Sequence, residues 1–171
     1  MMEKYTIRGR VLRYGDNIDT DVIIPARYLV YTDPEVLASH AMEGIDPDFP
    51  KKVRSGMNVI IAGRNFGCGS SREHAVIALK HAGVRAIIAE SFARIFFRNA
   101  VNLGLPLIEC SIPAEIGNGE IIEVYLKRGE IIFPKRGKKF EFKPLPDFLL
   151  KIIERGGLIG FLREKLQANS R

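Results

Sequence analysis

The fold of this chain is decided by residues 58–83, which read NVIIAGRNFGCGSSREHAVIALKHAG. The segment opens with a short β-branched run, 58–62, of the kind that forms a buried strand. It closes with the apolar run 75–82 and Gly83, the pattern of a buried helix with a glycine stop. Between them, the turn 65–74 collects two serines, an arginine, a glutamate and a histidine around two glycines. Because α/β proteins bind anionic ligands where a strand leads into a helix amino terminus, this turn is the first candidate site.

The next segment completes a supersecondary unit. Residues 84–89 are again short, apolar and β-branched, which predicts a second buried strand. Strand 58–62, helix 72–82 and strand 84–89 therefore form a βαβ unit, in which the two strands are parallel.

Upstream of this unit, residues 5–14 alternate apolar and polar side chains and predict an opening strand. An acidic turn follows, and then a short apolar piece, 22–24, that a proline stops. Asp33 is expected to cap a short helix that begins at Pro34. Residues 44–57 contain two prolines and two glycines and indicate a connecting loop.

Downstream of the unit, Ser91 is expected to cap a helix over 92–103 that Gly104 ends. The remaining segments predict, in order, strand 105–109, hairpin strands 121–126 and 130–133, strand 140–142, and a helical segment 146–167 broken at 156–157. The pattern predicts one α/β domain over residues 1–171, with a central, mostly parallel sheet, flanking helices and an antiparallel β addition.

The composition agrees with a globular protein. The chain has 171 residues, of which 46% are hydrophobic and 27% charged, so it can bury a sizeable core. No apolar run reaches the ~18 residues of a membrane span, and the amino terminus lacks the apolar core of a signal peptide, which favours the cytoplasm. The two cysteines, Cys68 and Cys110, form no CxxC site and are too few to hold an iron–sulfur cluster, so no metal site is predicted in this chain.

The net charge of +6 is unevenly distributed. Residues 127–171 carry 12 Lys and Arg against 5 Asp and Glu, whereas the rest of the chain is nearly neutral. A basic segment at 135–139 is compatible with nucleic acid, but no aromatic residues interleave with it. A solvated hairpin face or contact with an acidic partner is the preferred interpretation.

The serine turn has a structural and a functional interpretation. Ser70 and Glu73 fit a capping box, and Gly67 and Gly69 can serve only to permit positive φ angles. The functional interpretation rests on the exposed amides of a helix start together with Arg72, which form a seat for a carboxylate or phosphate. The turn lacks the lysine of a Walker loop, the third glycine of the dinucleotide fingerprint and the serine of a nucleophile elbow. The interpretation that remains for this turn is a carboxylate-binding site that contains a serine.

Three segments together resemble the mobile swivel domain of the aconitase superfamily. The turn 65–74 resembles its signature, residues 19–25 its first motif, and residues 91–96 its third motif. The motifs occur in the family's order within residues 16–99, and the chain length resembles that of a free-standing small subunit. The resemblance implies the swivelling β/β/α fold of the aconitase type.

The resemblance also implies an activity, a cofactor and partners. Members of this superfamily are hydro-lyases that isomerise a hydroxy acid by dehydration and rehydration. A [4Fe-4S] cluster on a separate large subunit binds the substrate hydroxyl and a carboxylate, and the small subunit binds no cofactor of its own. The partners expected for this chain are therefore that large subunit and a small hydroxy-dicarboxylate, with no membrane or nucleic acid.

Individual roles follow from the matching motif positions. Ser70 matches the catalytic base, and its alkoxide would be stabilised by the helix amino terminus and by Arg72. Ser71 and Arg72 would bind a substrate carboxylate. Asp21 matches a family aspartate that would orient Arg72 or a group of the large subunit, with a turn-capping role as the equal alternative.

The same resemblance places substrate specificity in Tyr28, Leu29 and Val30. Relatives that act on tricarboxylates carry an arginine in this loop, whereas Val30 is apolar and would leave a third carboxylate unpaired. The implied substrate is 3-isopropylmalate, with citramalate or another methyl-malate second and homoaconitate as a further alternative. The nearby cation Arg27 leaves this choice open.

Overall fold

One mixed sheet forms the centre of the molecule. A computed structural model describes residues 3–53 and 57–170. In this part of the chain the strands are β1 (Thr6–Arg13), β2 (Asn58–Ala62), β3 (Val84–Ala89), β4 (Leu107–Glu109), β5 (Ile121–Tyr125), β6 (Glu130–Phe133) and β7 (Lys138–Glu141). They pair in the order β4-β3-β2-β1-β5-β6-β7.

Helices connect and flank these strands. They are α1 (Thr20–Ile23), α2 (Pro34–Ser39), α3 (Phe49–Lys52), α4 (Glu73–Ala82), α5 (Arg94–Leu103), α6 (Asp147–Glu154) and α7 (Leu158–Asn169), with a 3-10 turn at Ala26–Tyr28. Helices α4 and α5 end at Gly83 and Gly104, which both adopt the left-handed conformation. Within the described residues, no helix is long and apolar enough to cross a membrane.

The sheet has a parallel half and an antiparallel half. Strands β1 to β4 are parallel to one another, which confirms the predicted βαβ unit. Strand β5 pairs antiparallel with β1, and β6 and β7 continue that antiparallel half. The predicted fold class, an α/β domain with a parallel sheet centre and an antiparallel β addition, is therefore confirmed.

Strand β2 lies between two hydrophobic clusters. Ile60 and Ala62 belong to the cluster that contains residues of helices α2, α4 and α5. Val59 and Ile61 belong to a second cluster, which contains residues of β5, β6 and α6. All five residues of β2 are buried, as expected for a parallel strand covered on both faces.

Local structure differs from the sequence prediction in the connections. The apolar piece 22–24 lies mostly in α1, because the Asp19 carboxylate accepts the amide of Asp21 and caps a single helical turn. The predicted loop 44–57 contains the short helix α3, and its residues 54–56 lie outside the described residues. Strand β7 begins two residues before the predicted strand at 140–142.

Ser91 does not cap α5, contrary to the prediction. The helix begins at Arg94, and its amino-terminal cap is Ala93, which makes no side-chain hydrogen bond. The Ser91 hydroxyl instead accepts the amide of Asn65 at 2.8 Å, and its carbonyl accepts the amide of Phe66 at 3.1 Å. Ser91 therefore joins the loop after β3 to the loop after β2.

The basic residues near 135–139 lie on a hairpin and pair with glutamates. Arg136 bonds Glu120 through two nitrogens, and Lys138 pairs with Glu115. Lys139 lies 3.2 Å from a Glu130 carboxylate oxygen. The local positive charge is therefore partly neutralised within the chain.

The turn that follows β2 is anchored by aromatic packing. Phe66 is fully buried, and its ring lies 5.4 Å from that of Phe96 and 6.1 Å from that of Phe92, in edge-to-face contacts. The next residue, Gly67, has a φ angle of +82°, and a Cβ atom at this position would overlap the Phe96 ring. Glycine both adopts this φ angle without strain and leaves room for the Phe96 ring.

We expect Gly67→Ala to lower the free energy of unfolding by roughly 2–4 kcal/mol, from the left-handed backbone and the displaced ring together. Gly119→Ala is a matched control, because Gly119 has a φ angle of +83° but no atom within 4 Å of the position that a Cβ would take. The control should lose only about 1 kcal/mol. Urea denaturation of both variants measures the difference, and equal losses would contradict the packing argument.

Candidate active site

The loops that leave β1, β2 and β3 continue to pair beyond the ends of the strands. The Gly67 amide donates to the carbonyl of Ile18, and the Thr20 amide donates to the carbonyl of Cys68, both at 2.8 Å. A further bridge joins Phe66 to the loop after β3. The three loops therefore form one layer at the carboxyl edge of the parallel strands, where α/β proteins bind ligands.

The serine turn enters α4 without the predicted capping box. The helix begins at Glu73, and its cap residue, Arg72, makes no side-chain capping bond. The carbonyl of Ser70 accepts the Arg72 amide at 2.9 Å, which closes a tight three-residue turn before the helix begins. Ser70 and Ser71 are both exposed, so their hydroxyls are available to a ligand.

A buried threonine holds Ser70 in place. Thr20 is 1% exposed, and its hydroxyl donates to the carbonyl of Ser70 at 3.1 Å. The same hydroxyl lies 3.5 Å from the Ser70 hydroxyl. The first aconitase-type motif and the signature turn therefore meet through Thr20.

Arg72 is held by the loop that follows β1. Its Nη1 donates to the Asp21 carboxylate at 2.9 Å and to the carbonyl of Ile24 at 3.4 Å. Asp21 also accepts the amide of Ala26 at 3.1 Å, so it both orients Arg72 and closes a turn. The Arg72 guanidinium, with help from that amide, holds the pKa of Asp21 below its ordinary value. The aspartate is therefore ionised at neutral pH.

Several donors in this layer have no acceptor among residues 3–53 and 57–170. They are Nε and Nη2 of Arg72 and the first two amides of α4, at Glu73 and His74. The Arg72 side chain is 20% exposed, so its position is constrained while its free nitrogens remain available. Unpaired amides at a positive helix terminus, beside a guanidinium, form a seat for a carboxylate.

These loops match a known family. The family model of the aconitase C-terminal domain matches residues 15–111, which contain all three loops and more than half of the chain. The chain belongs to the aconitase C-terminal domain family. The family predicted from the three motifs is confirmed.

The curated relatives of this family member are similar over nearly their full length. The isopropylmalate/citramalate isomerase small subunit of Methanocaldococcus jannaschii is 55% identical over 94% of this chain and 95% of its own length. The 3-isopropylmalate dehydratase small subunit 1 of Methanopyrus kandleri is 56% identical over 93% and 94%. The 3-isopropylmalate dehydratase small subunit of Nautilia profundicola is 56% identical over 95% and 98%.

A solved structure supports the same relationship. The crystal structure of 3-isopropylmalate dehydratase from Methanocaldococcus jannaschii aligns with a TM-score of 0.89 at 48% sequence identity. The alignment covers 96% of this chain and 98% of that one. The sheet order and flanking helices described above are therefore those of this branch of the aconitase family.

The predicted specificity residues lie on the loop that follows α1. Tyr28 ends the 3-10 turn, Leu29 is half-buried against the cluster that contains α2 and α4, and Val30 is 81% exposed. The loop is tied to the anion seat at its start, through the Ala26 amide and Asp21. Val30 therefore presents an apolar surface to solvent, four residues beyond that tie.

The part of the chain that the structure describes does not provide a binding site for the family's iron–sulfur cluster. Burial raises the pKa of both the Cys68 and Cys110 thiols, which keeps them protonated. No group of three metal-ligating side chains occurs in residues 3–53 and 57–170. Because a cluster takes about three or four thiolates, the residues present do not fit one.

Thr20 is a site residue to which the sequence assigns no role of its own, although it lies within the first motif. A threonine between two aspartates in an acidic turn normally indicates a turn residue. Its hydroxyl bonds Ser70, which lies 50 positions away in the sequence, and a local sequence pattern does not reveal such a contact.

We expect Thr20→Val to lower the free energy of unfolding by about 1 kcal/mol, because the Ser70 carbonyl loses one of its donors and the valine restores none. Thr20→Ser keeps the hydroxyl and should retain the bond. Urea denaturation together with amide NMR shifts of residues 70–72 measures both effects. Unchanged shifts in the valine variant would show that Thr20 does not position Ser70.

Proposed function

We propose that this chain is the small subunit of a 3-isopropylmalate dehydratase, which interconverts 2-isopropylmalate and 3-isopropylmalate by dehydration and rehydration in leucine biosynthesis. The observation that carries the proposal is the exposed Ser70 beside Arg72, which Asp21 orients at the amino terminus of α4. The small-subunit names of the similar proteins support the same reaction. We likewise propose that residues 1–171 act as one domain and that the protein works in the cytoplasm.

The substrate carboxylate binds at the seat formed by Arg72, Ser71 and the first amides of α4. Arg72 offers Nε and Nη2 in fork geometry, since Asp21 and Ile24 use only Nη1. The exposed Ser71 hydroxyl offers a further donor. This arrangement binds one carboxylate and fixes the carbon next to it relative to Ser70.

Ser70 acts as the base that removes the proton from that carbon. A serine alkoxide is unstable in water, and here the positive end of α4 and the Arg72 guanidinium stabilise it. Thr20 and the Arg72 amide both bind the Ser70 carbonyl, which positions the side chain. In the rehydration direction the Ser70 hydroxyl returns the proton.

The remaining part of the site belongs to a partner. We propose that the [4Fe-4S] cluster is carried by a separate large subunit, because the two protonated cysteines of this chain do not fit it. The exposed face of the serine turn is the surface that meets this partner.

The exposed Val30 favours a substrate with an alkyl group. An apolar side chain offers no donor to a third carboxylate, so a tricarboxylate would lose solvation without compensation. A citramalate isomerase is a second candidate, because one similar protein is named for both substrates.

We expect Ser70→Ala to lower kcat roughly 10²–10⁴-fold in the complex with the large subunit, since the base is removed. KM and complex assembly should be retained. The measurement is anaerobic turnover of 3-isopropylmalate after cluster reconstitution. Ser170→Ala, a remote exposed serine that bonds only within α7, is the matched control. Wild-type turnover by the Ser70 variant would disprove the base assignment.

We expect Val30→Arg to move substrate preference towards homoaconitate by about tenfold or more in kcat/KM, because the new guanidinium pairs the third carboxylate. Activity on 3-isopropylmalate should fall, because the alkyl group then faces a cation. Competition between the two substrates in the reconstituted complex measures the ratio. A ratio equal to that of the wild type would show that Val30 does not determine substrate specificity.

A further inference from the structure

The loop that bears Val30 also contains a cation, Arg27, that pairs with a carboxylate outside the anion seat. Arg27 lies 64% exposed on the 3-10 turn, and its Nη2 donates to the Glu43 carboxylate at 3.1 Å. The guanidinium carbon also lies 4.7 Å from the centre of the Tyr28 ring. Both contacts hold the Arg27 side chain towards the segment that follows α2.

Two further contacts fix this arrangement. The Tyr28 ring stacks on His40, with centroids 3.8 Å apart and planes 11° from parallel. His40 Nδ1 lies 3.2 Å from Glu43 Oε2 without making a hydrogen bond to it. Tyr28, Arg27 and His40 together hold the pKa of Glu43 below its ordinary value, so the carboxylate is charged at neutral pH. We call the cluster of Arg27, Tyr28, His40 and Glu43 the Glu43 latch.

The Glu43 latch lies next to the proposed carboxylate seat. The Ala26 amide and Arg72 Nη1 donate to the same oxygen of Asp21. Arg27 is the residue after Ala26, so its backbone adjoins the seat. Arginine has a long, flexible side chain, and the only hydrogen bond of this one among the described residues is to Glu43, which draws it towards the segment that follows α2.

We propose that Glu43 is a specificity-determining positioning residue, which acts through Arg27. By binding the guanidinium of Arg27, Glu43 keeps this cation of the loop away from the carboxylate seat. Arg27 would otherwise pair with a third carboxylate of the substrate. Together with the apolar Val30, the pairing of Arg27 with Glu43 favours dicarboxylates with an alkyl group over tricarboxylates, because discrimination is a difference between two affinities. This inference rests on the proposed function and extends it to the substrate class that is rejected.

The test is Glu43→Gln in the complex with the large subunit, which keeps the side-chain size and removes the charge. We expect the ratio of kcat/KM for homoaconitate to that for 3-isopropylmalate to rise about two- to fivefold, because removal of the exposed Glu43 pair frees Arg27 by no more than the strength of that pair. The gain should appear as a lower KM for homoaconitate, with kcat on 3-isopropylmalate unchanged. Glu43→Ala is a second variant with the same expected direction.

Two controls separate the latch from a general loosening of the fold. Glu130→Gln removes a carboxylate 3.1 Å from an arginine on the remote hairpin and should leave the ratio unchanged. The double variant Arg27→Gln, Glu43→Gln should lose the gain, because the released cation is absent.

The outcomes are distinguishable. An active wild type whose ratio stays unchanged in both Glu43 variants overturns the latch and leaves the proposed function standing. A rise in this ratio that persists in the double variant Arg27→Gln, Glu43→Gln also overturns the role of the latch. A wild-type complex that is inactive on all the malate derivatives overturns the proposed function, and the latch with it.

Discussion

The hydrogen bonds between the loops after β1 and β2 are the constraint on which the candidate site depends. They extend the parallel pairing of the two strands beyond their ends, through the amides of Gly67 and Thr20. Once the loops are paired, the Thr20 hydroxyl meets Ser70 and the Asp21 carboxylate meets Arg72, although the partners are 50 and 51 residues apart in the sequence. The positions of the functional side chains are thus consequences of backbone pairing in the sheet.

The charges of the site serve orientation more than stability. Asp21 is 63% exposed, and an ion pair of this kind contributes only about 0–1 kcal/mol. The Asp21 carboxylate occupies Nη1 of Arg72 and leaves Nε and Nη2 free to bind a ligand. In the isolated chain, unpaired guanidinium nitrogens and helix amides at the surface are open to solvent water. A covering partner would exclude that water and strengthen every interaction with a bound carboxylate.

The central fold could be predicted from the sequence because β2 and, apart from the exposed Arg85, β3 are buried and consist almost entirely of apolar residues. The caps assigned to Ser70 and Ser91 were wrong for one shared reason. Both helices begin later than predicted, at Glu73 and Arg94, and each serine instead bonds a neighbouring loop, Ser70 through its carbonyl and Ser91 through its hydroxyl. The roles of Thr20 and Glu43 were not predictable, because each depends on a contact that only the folded chain creates.

Arg72 and Arg27 differ in burial and in their partners, and these differences determine whether each arginine is held ready for a ligand. Arg72 is mostly buried, so its position is fixed before any ligand arrives. Arg27 is largely exposed, and its pair with Glu43 is worth about 0–1 kcal/mol by itself. Such a pair alone is too weak to exclude a third carboxylate, whose bond to a guanidinium in a closed site is worth about 1.5–3 kcal/mol. Val30 supplies the second contribution, because a carboxylate beside it has no donor. Under the proposed function, selectivity in this loop is the sum of two modest effects, and a change in either one shifts the substrate preference by degrees.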